Sequence, residues 1–115
     1  MNLLDRVNAA GHAFISADYR LLPSGNTTGH DILSDITDLF EYLKHAELTS
    51  APSQSHPAVK VSIDIHRIAV AGSSAGGLCA YLAAIHARPR PKAVLSLYAQ
   101  GGDFTVSSGS ILQTL

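Results

Sequence analysis

The chain has a single cysteine, Cys79, and no tryptophan. One thiol cannot close an internal disulfide, so the fold gains nothing from cross-links and no oxidising compartment is implied. Charge is sparse too: 15% of residues are Asp, Glu, Lys or Arg, and the formal net charge is −1. No basic stripe or acidic tail stands out, which argues against a nucleic-acid partner. No apolar run reaches the roughly 20 residues that span a bilayer. The first ten residues place Asp5 and Arg6 among short apolar runs, unlike the basic start and long apolar stretch of a secretion signal. These absences point to a soluble, cytoplasmic chain. At 115 residues it holds one small domain at most, well below the usual size of a complete α/β enzyme.

What is present reads as alternating helix and strand, which favours an α/β sheet. Residues 2–10 look like the last turns of a helix, with Leu3, Leu4 and Val7 on one face and Gly11 as its stop. Residues 13–19 read as a strand, and 22–29 as a turn-rich connection. A helix is expected over residues 31–45. Its apolar residues Ile32, Leu33, Ile36, Leu39, Phe40 and Leu43 form one stripe. Asp31 and Asp35 suit the positive end of its dipole. Residues 49–57 read as a surface loop. Residues 67–71 predict a strand buried on both faces. A small-residue helix follows from Ser74 to about His86, ended by Pro89 and Pro91, then a strand over 92–99. From residue 105 onward the composition shifts to Ser, Gly and Thr. The expected division is a partial domain over 1–104 and a poorly ordered tail over 105–115.

The informative stretch is Gly72-Ser73-Ser74-Ala75-Gly76-Gly77, between a strand and a helix. Gly72-x-Ser74-x-Gly76 has the pattern of a nucleophile elbow. Such a serine sits on a tight strand-to-helix turn that lifts its hydroxyl above the sheet edge. Side chains two residues either side would crowd that turn, so both positions are glycine. Ser73 would instead have Ala71 and Ala75 at the crowded positions. The Ala75 N–H would face a developing oxyanion, helped by the helix N-terminus. Two other readings fit the stretch: a glycine-rich turn with a serine N-cap, or a dinucleotide loop. For the dinucleotide loop, Gly72-x-Ser74-x-x-Gly77 partly matches GxGxxG and Asp103 follows the next strand. A serine at the middle glycine would crowd a pyrophosphate, which ranks that reading below the nucleophile elbow.

Upstream, Asp18-Tyr19-Arg20-Leu21-Leu22-Pro23 closes the first strand. This motif, then an amphipathic helix, then residues 67–77 resembles the hormone-sensitive-lipase-like branch of the α/β-hydrolases, over about residues 3–104. The resemblance implies a partial, incomplete α/β-hydrolase sheet: three mainly parallel strands with flanking helices. It implies carboxylic ester hydrolysis, esterase- or lipase-like, with Ser74 as nucleophile, Ala75 as oxyanion backbone, and Gly72 and Gly76 as elbow glycines. It implies a small-molecule ester substrate and no cofactor or metal; it leaves ester specificity and oligomeric state open. In that family a strand preceding Met1 would lie between the strands ending at Tyr19 and Ala71. Its absence would leave backbone groups on both flanking edges unpaired, at about 1–3 kcal/mol each where buried. The family's His-Gly-Gly-Gly loop has no counterpart here. The family's acid and histidine follow the serine, and after Ser74 the chain holds only His86 and Asp103. His86 would lie about 18 Å away along the helix. The resemblance therefore implies little turnover by this chain alone. A non-catalytic binding module and a dinucleotide-binding βαβ unit are the alternatives.

Among the remaining residues, Arg20 and Asp35 read either as an ion pair fixing the strand-to-helix connection or as two solvated charges. Cys79 reads as a small core residue, and Tyr81 and Tyr98 as packing residues. The histidines show no metal-ligand spacing.

Overall fold

The computed structural model describes residues 2–21, 25–52 and 54–99. Helix α1 spans Leu3–Ala9 and opens on a capping box. The Asp5 N–H donates to Asn2 Oδ1 at 2.9 Å, and the Asn2 N–H donates to Asp5 Oδ2 at 3.3 Å. This corrects the reading of residues 2–10 as the last turns of a helix, since the turn is capped at Asn2. Gly11 takes a left-handed φ of 79° and ends the helix as expected. No residue of α1 is buried, and Leu3 remains 57% exposed. Its apolar face covers nothing among the described residues.

Residues 12–21 form no strand, contrary to the expectation for 13–19. The apolar alternation is there, but a strand exists only by pairing its backbone groups with a neighbour. No described strand pairs with it.

Helix α2, Gly29–His45, starts two residues earlier than expected because Thr28, not Asp31, sets its start. The Thr28 N–H donates to Asp31 Oδ2 at 2.7 Å, and the Asp31 N–H donates to Thr28 Oγ1 at 3.4 Å. The predicted apolar stripe faces inward: Ile32, Ile36, Phe40 and Leu43 are buried, and Leu33 and Leu39 are half-buried.

Two short strands follow, β1 (Glu47–Thr49) and β2 (Lys60–Ser62), paired antiparallel with Leu48 opposite Val61. The loop expected over 49–57 is therefore the tip of a hairpin. Each strand has three residues, too short for a period to be read from sequence. Ser50 closes the loop from both sides: its N–H donates to the Val59 carbonyl at 2.8 Å, and the Val59 N–H donates to Ser50 Oγ at 3.0 Å.

Strand β3 (Ala69–Ser73) pairs in parallel with β4 (Ala93–Leu97), from Ala69 opposite Ala93 to Ser73 opposite Leu97. Helix α3, Ala75–His86, is the crossover between them. The expected strand over 67–71 thus sits two residues further on, and it is not buried on both faces. Val70 and Gly72 are half-buried, while Ala69, Ala71 and Ser73 are exposed. The pleat sends alternate residues to opposite sides, and among the described residues the helices cover one side only. Tyr81 and Tyr98, expected to pack, are 45% and 80% exposed.

The core is a helix–helix–sheet contact. Ile32, Ile36 and Phe40 of α2 meet Leu78, Cys79, Leu82 and Ala83 of α3, with Ala87 beyond them and Val70 and Ile68 packed alongside. Leu82 is 1% exposed. Among the described residues no helix is long and apolar enough to cross a membrane. The tail expected over 105–115, the domain limit at 104, and Asp103 lie outside the described residues.

Candidate active site

Ser74 stands between the end of β3 and the start of α3, with φ 51° and ψ −120°. An L-residue reaches this conformation only under strain of order 1–3 kcal/mol. Neighbouring hydrogen bonds hold it there. The Ser74 N–H donates to the Leu97 carbonyl of β4 at 3.1 Å, and the Ser74 carbonyl accepts from the N–H groups of Gly77 and Leu78 at 3.0 and 3.4 Å. The side chain takes no part: Ser74 is exposed and makes no capping bond to α3. A serine serving as an ordinary N-cap would turn its oxygen onto the first-turn N–H groups. Ala75, half-buried, opens the helix. Its N–H has no acceptor among the described residues, as the first helical position requires.

The glycines do unequal work. A Cβ on Gly72 would run into the Gly76 carbonyl group and lie 2.8 Å from the Gly77 nitrogen. Gly72 is therefore required by the turn. Gly76 is not: its nearest obstacle would be the Tyr19 hydroxyl at 3.8 Å, an ordinary contact. This corrects the expectation that both positions are glycine because of crowding. The second indispensable glycine is Gly77, where a Cβ would meet the Ala99 Cβ at 2.5 Å and Ser96 Oγ at 2.8 Å. Gly77 lets α3 settle onto β4. The Gly76-Gly77 pair was visible in the sequence, but only the approach of β4 tells which of the two is needed.

Two consecutive residues attach the unpaired segment 12–21 to the helices. From Gly11 to Arg20 every residue is exposed except Tyr19. Tyr19 packs against the core cluster that includes Cys79. Burial pushes the pKa of both groups up, so Cys79 is a protonated core residue rather than a reactive thiolate. Arg20 turns to α2. Its Nη2 donates to Asp35 Oδ1 at 2.7 Å, its Nε to the same carboxylate at 3.0 and 3.1 Å, and its backbone N–H to Asp35 Oδ2 at 2.9 Å. Nη1 and Nη2 also reach Asp31 Oδ1 at 3.2 Å and the Asp31 carbonyl at 2.8 Å. The ion pair, one of two readings from sequence, is thus formed.

Hydrogen bonds from Arg20 hold the Asp35 carboxyl below its usual pKa, and hydrogen bonds from Thr28 do the same for Asp31. A carboxylate depressed in the folded state contributes stability that is complete above its unfolded pKa, about 3.9, and is lost as pH falls through the folded value. The Tm of wild type is therefore expected to exceed that of Asp35→Asn at pH 7, with the gap closing below about pH 4. Parallel Tm curves for the two proteins from pH 7 to pH 3 would contradict this.

His86 is the last residue of α3, at the opposite end of the helix from Ser74. Its Nε2 is buried without a hydrogen-bond partner among the described residues. Among the described residues no group of three or more His, Cys, Asp or Glu could hold a metal ion. A shallow concavity on α2, lined by Asp38, Glu41, Tyr42, His45 and Ala46, includes none of the residues around Ser74.

The family model described as alpha/beta hydrolase fold matches residues 2–114. The chain belongs to the alpha/beta-hydrolase fold family. The matching model is that of its hormone-sensitive-lipase-like hydrolases. No curated protein and no solved structure gives a significant match. Within this alpha/beta-hydrolase chain, the β3–α3–β4 unit carries the parallel part of the sheet, and the turn at Ser74 lies at the C-terminal end of β3. Ligand sites of open α/β sheets gather at that end of the strands.

Proposed function

We propose that the site at Ser74 is that of a carboxylic ester hydrolase, with Ser74 as the nucleophile and the Ala75 N–H as an oxyanion donor. The observation that carries this reading is a strained serine whose backbone is bonded on both sides and whose hydroxyl is exposed and uncommitted. Strain persists only where the surroundings enforce it, and it gathers at functional sites. In the reaction the serine oxygen attacks the ester carbonyl, the carbonyl oxygen gains negative charge beside the Ala75 N–H, and the serine proton leaves to a base. No described histidine touches the serine hydroxyl, and His86 lies a helix length away, about 18 Å by the rise per residue. Without a base, a serine hydroxyl is a weak nucleophile at neutral pH. The 115-residue chain is therefore a slow esterase at best.

The test is a fluorophosphonate probe with site mapping by mass spectrometry. Slow, stoichiometric labelling at Ser74 is expected, lost in Ser74→Ala and kept in Ser73→Ala. Hydrolysis of p-nitrophenyl butyrate should stay close to the uncatalysed rate. Labelling spread over several serines, or a Tm raised by NAD, would overturn the reading.

A further inference from the structure

We propose that Tyr19 is a positioning residue for Ser74: seated on the core cluster with its hydroxyl beside Gly76, it steadies the first turn of α3 and so the direction in which the serine is presented. This rests on the reading of Ser74 as nucleophile.

Residues 12–21 belong to no strand, so no sheet hydrogen bonds hold them in place. Their attachment is Tyr19 on one side and Arg20 on the other. Arg20 forks onto Asp35 and reaches Asp31, which ties the segment to α2. Tyr19 carries that tie across to α3. Its ring is the one half-buried side chain of the stretch, and it packs on the cluster that includes Cys79. Cys79 is buried and lies five residues after Ser74. The Tyr19 hydroxyl also sits 3.8 Å from where a Cβ of Gly76 would be. Gly76 and Gly77 together give the first turn of α3 little helix propensity of its own. A contact that stiffens this turn acts on Ser74 directly, because the Ser74 carbonyl bonds the Gly77 and Leu78 N–H groups of the same turn.

The variants Tyr19→Phe, Cys79→Ala and the double variant test this in the full chain. Tyr19→Phe keeps the ring and removes the hydroxyl, so the fold survives. The first measurement is amide hydrogen exchange. At residues 75–79 it should speed up about fivefold or more in Tyr19→Phe, with residues 36–43 of α2 unchanged. The second is the rate of fluorophosphonate labelling at Ser74. It should fall by about three- to tenfold in each single variant, the range of one lost side-chain contact. The double variant should be no slower than the singles, because both remove the same contact. Unchanged exchange at residues 75–79 overturns the proposal, as does a rise spread equally over α2 and α3. Faster exchange with unchanged labelling also overturns it, leaving Tyr19 a structural contact. If wild type is not labelled at Ser74 at all, the nucleophile reading fails, and the exchange measurement alone decides whether Tyr19 steadies the turn.

Discussion

Gly72→Ala is expected to destroy the turn at Ser74, while Gly76→Ala leaves it intact. The added methyl of Gly72→Ala would overlap the Gly76 carbonyl and press on the Gly77 nitrogen. These are backbone atoms in the first turn of α3, so neither can rotate away as a side chain would. Relief requires α3 to move off β3. That costs the Ser74–Gly77 hydrogen bond and the fit of Gly77 against Ala99 and Ser96. Overpacking a tight contact costs about 1–3 kcal/mol, and more where backbone must shift. A loss of about 3 kcal/mol or more is expected, a large part of a small domain's net stability of about 5–15 kcal/mol. Gly76→Ala meets only the Tyr19 hydroxyl at 3.8 Å and removes a glycine from a helix, a gain of up to about 1 kcal/mol. Urea midpoints for the three proteins check both claims. A Gly72→Ala within about 0.5 kcal/mol of wild type, or a Gly76→Ala that is the weaker of the pair, would refute the account of the turn.

The second large effect is expected at Phe40. It is 4% exposed, sits mid-way along α2, and belongs to the cluster shared with Leu78, Cys79 and Leu82 of α3. Truncating a buried phenylalanine to alanine removes its transfer energy and leaves a cavity, together about 3–5 kcal/mol. Here the loss has a structural address. Arg20 ties residues 12–21 to α2, so loosening α2 from α3 also slackens the anchor beside the serine turn. Phe40→Ala should therefore unfold at much lower urea than wild type. Tyr42→Ala, two residues on but 60% exposed, should stay within about 0.5 kcal/mol. Equal midpoints for the two variants would show that α2 is not part of the cooperative core.

Helix α2 was legible because its stripe of Ile32, Ile36, Phe40 and Leu43 repeats over about three turns, long enough for a 3.6-residue period to emerge. The β3–turn–α3 unit was legible for a different reason: glycines flanking a serine between an apolar run and a small-residue helix leave few conformations open. The three-residue strands β1 and β2 carried no comparable signal. The segment 13–19 shows the opposite failure. Its residue types suit a strand, yet pairing depends on a neighbour that its own residues do not supply. The bounds of β3 and its half-open burial were missed because exposure depends on which layers lie above and below.

Local chemistry was enough to choose the candidate serine, the helix beside it and the family, since turn geometry and periodicity act over a few consecutive residues. Packing across the chain settled the rest. The need for glycine at position 77, the seat of Tyr19 on the core cluster, and the closure of Arg20 onto Asp31 and Asp35 all depend on residues far apart in sequence. No window of neighbouring residues encodes such distances; they exist only once β4 and α2 have closed around α3.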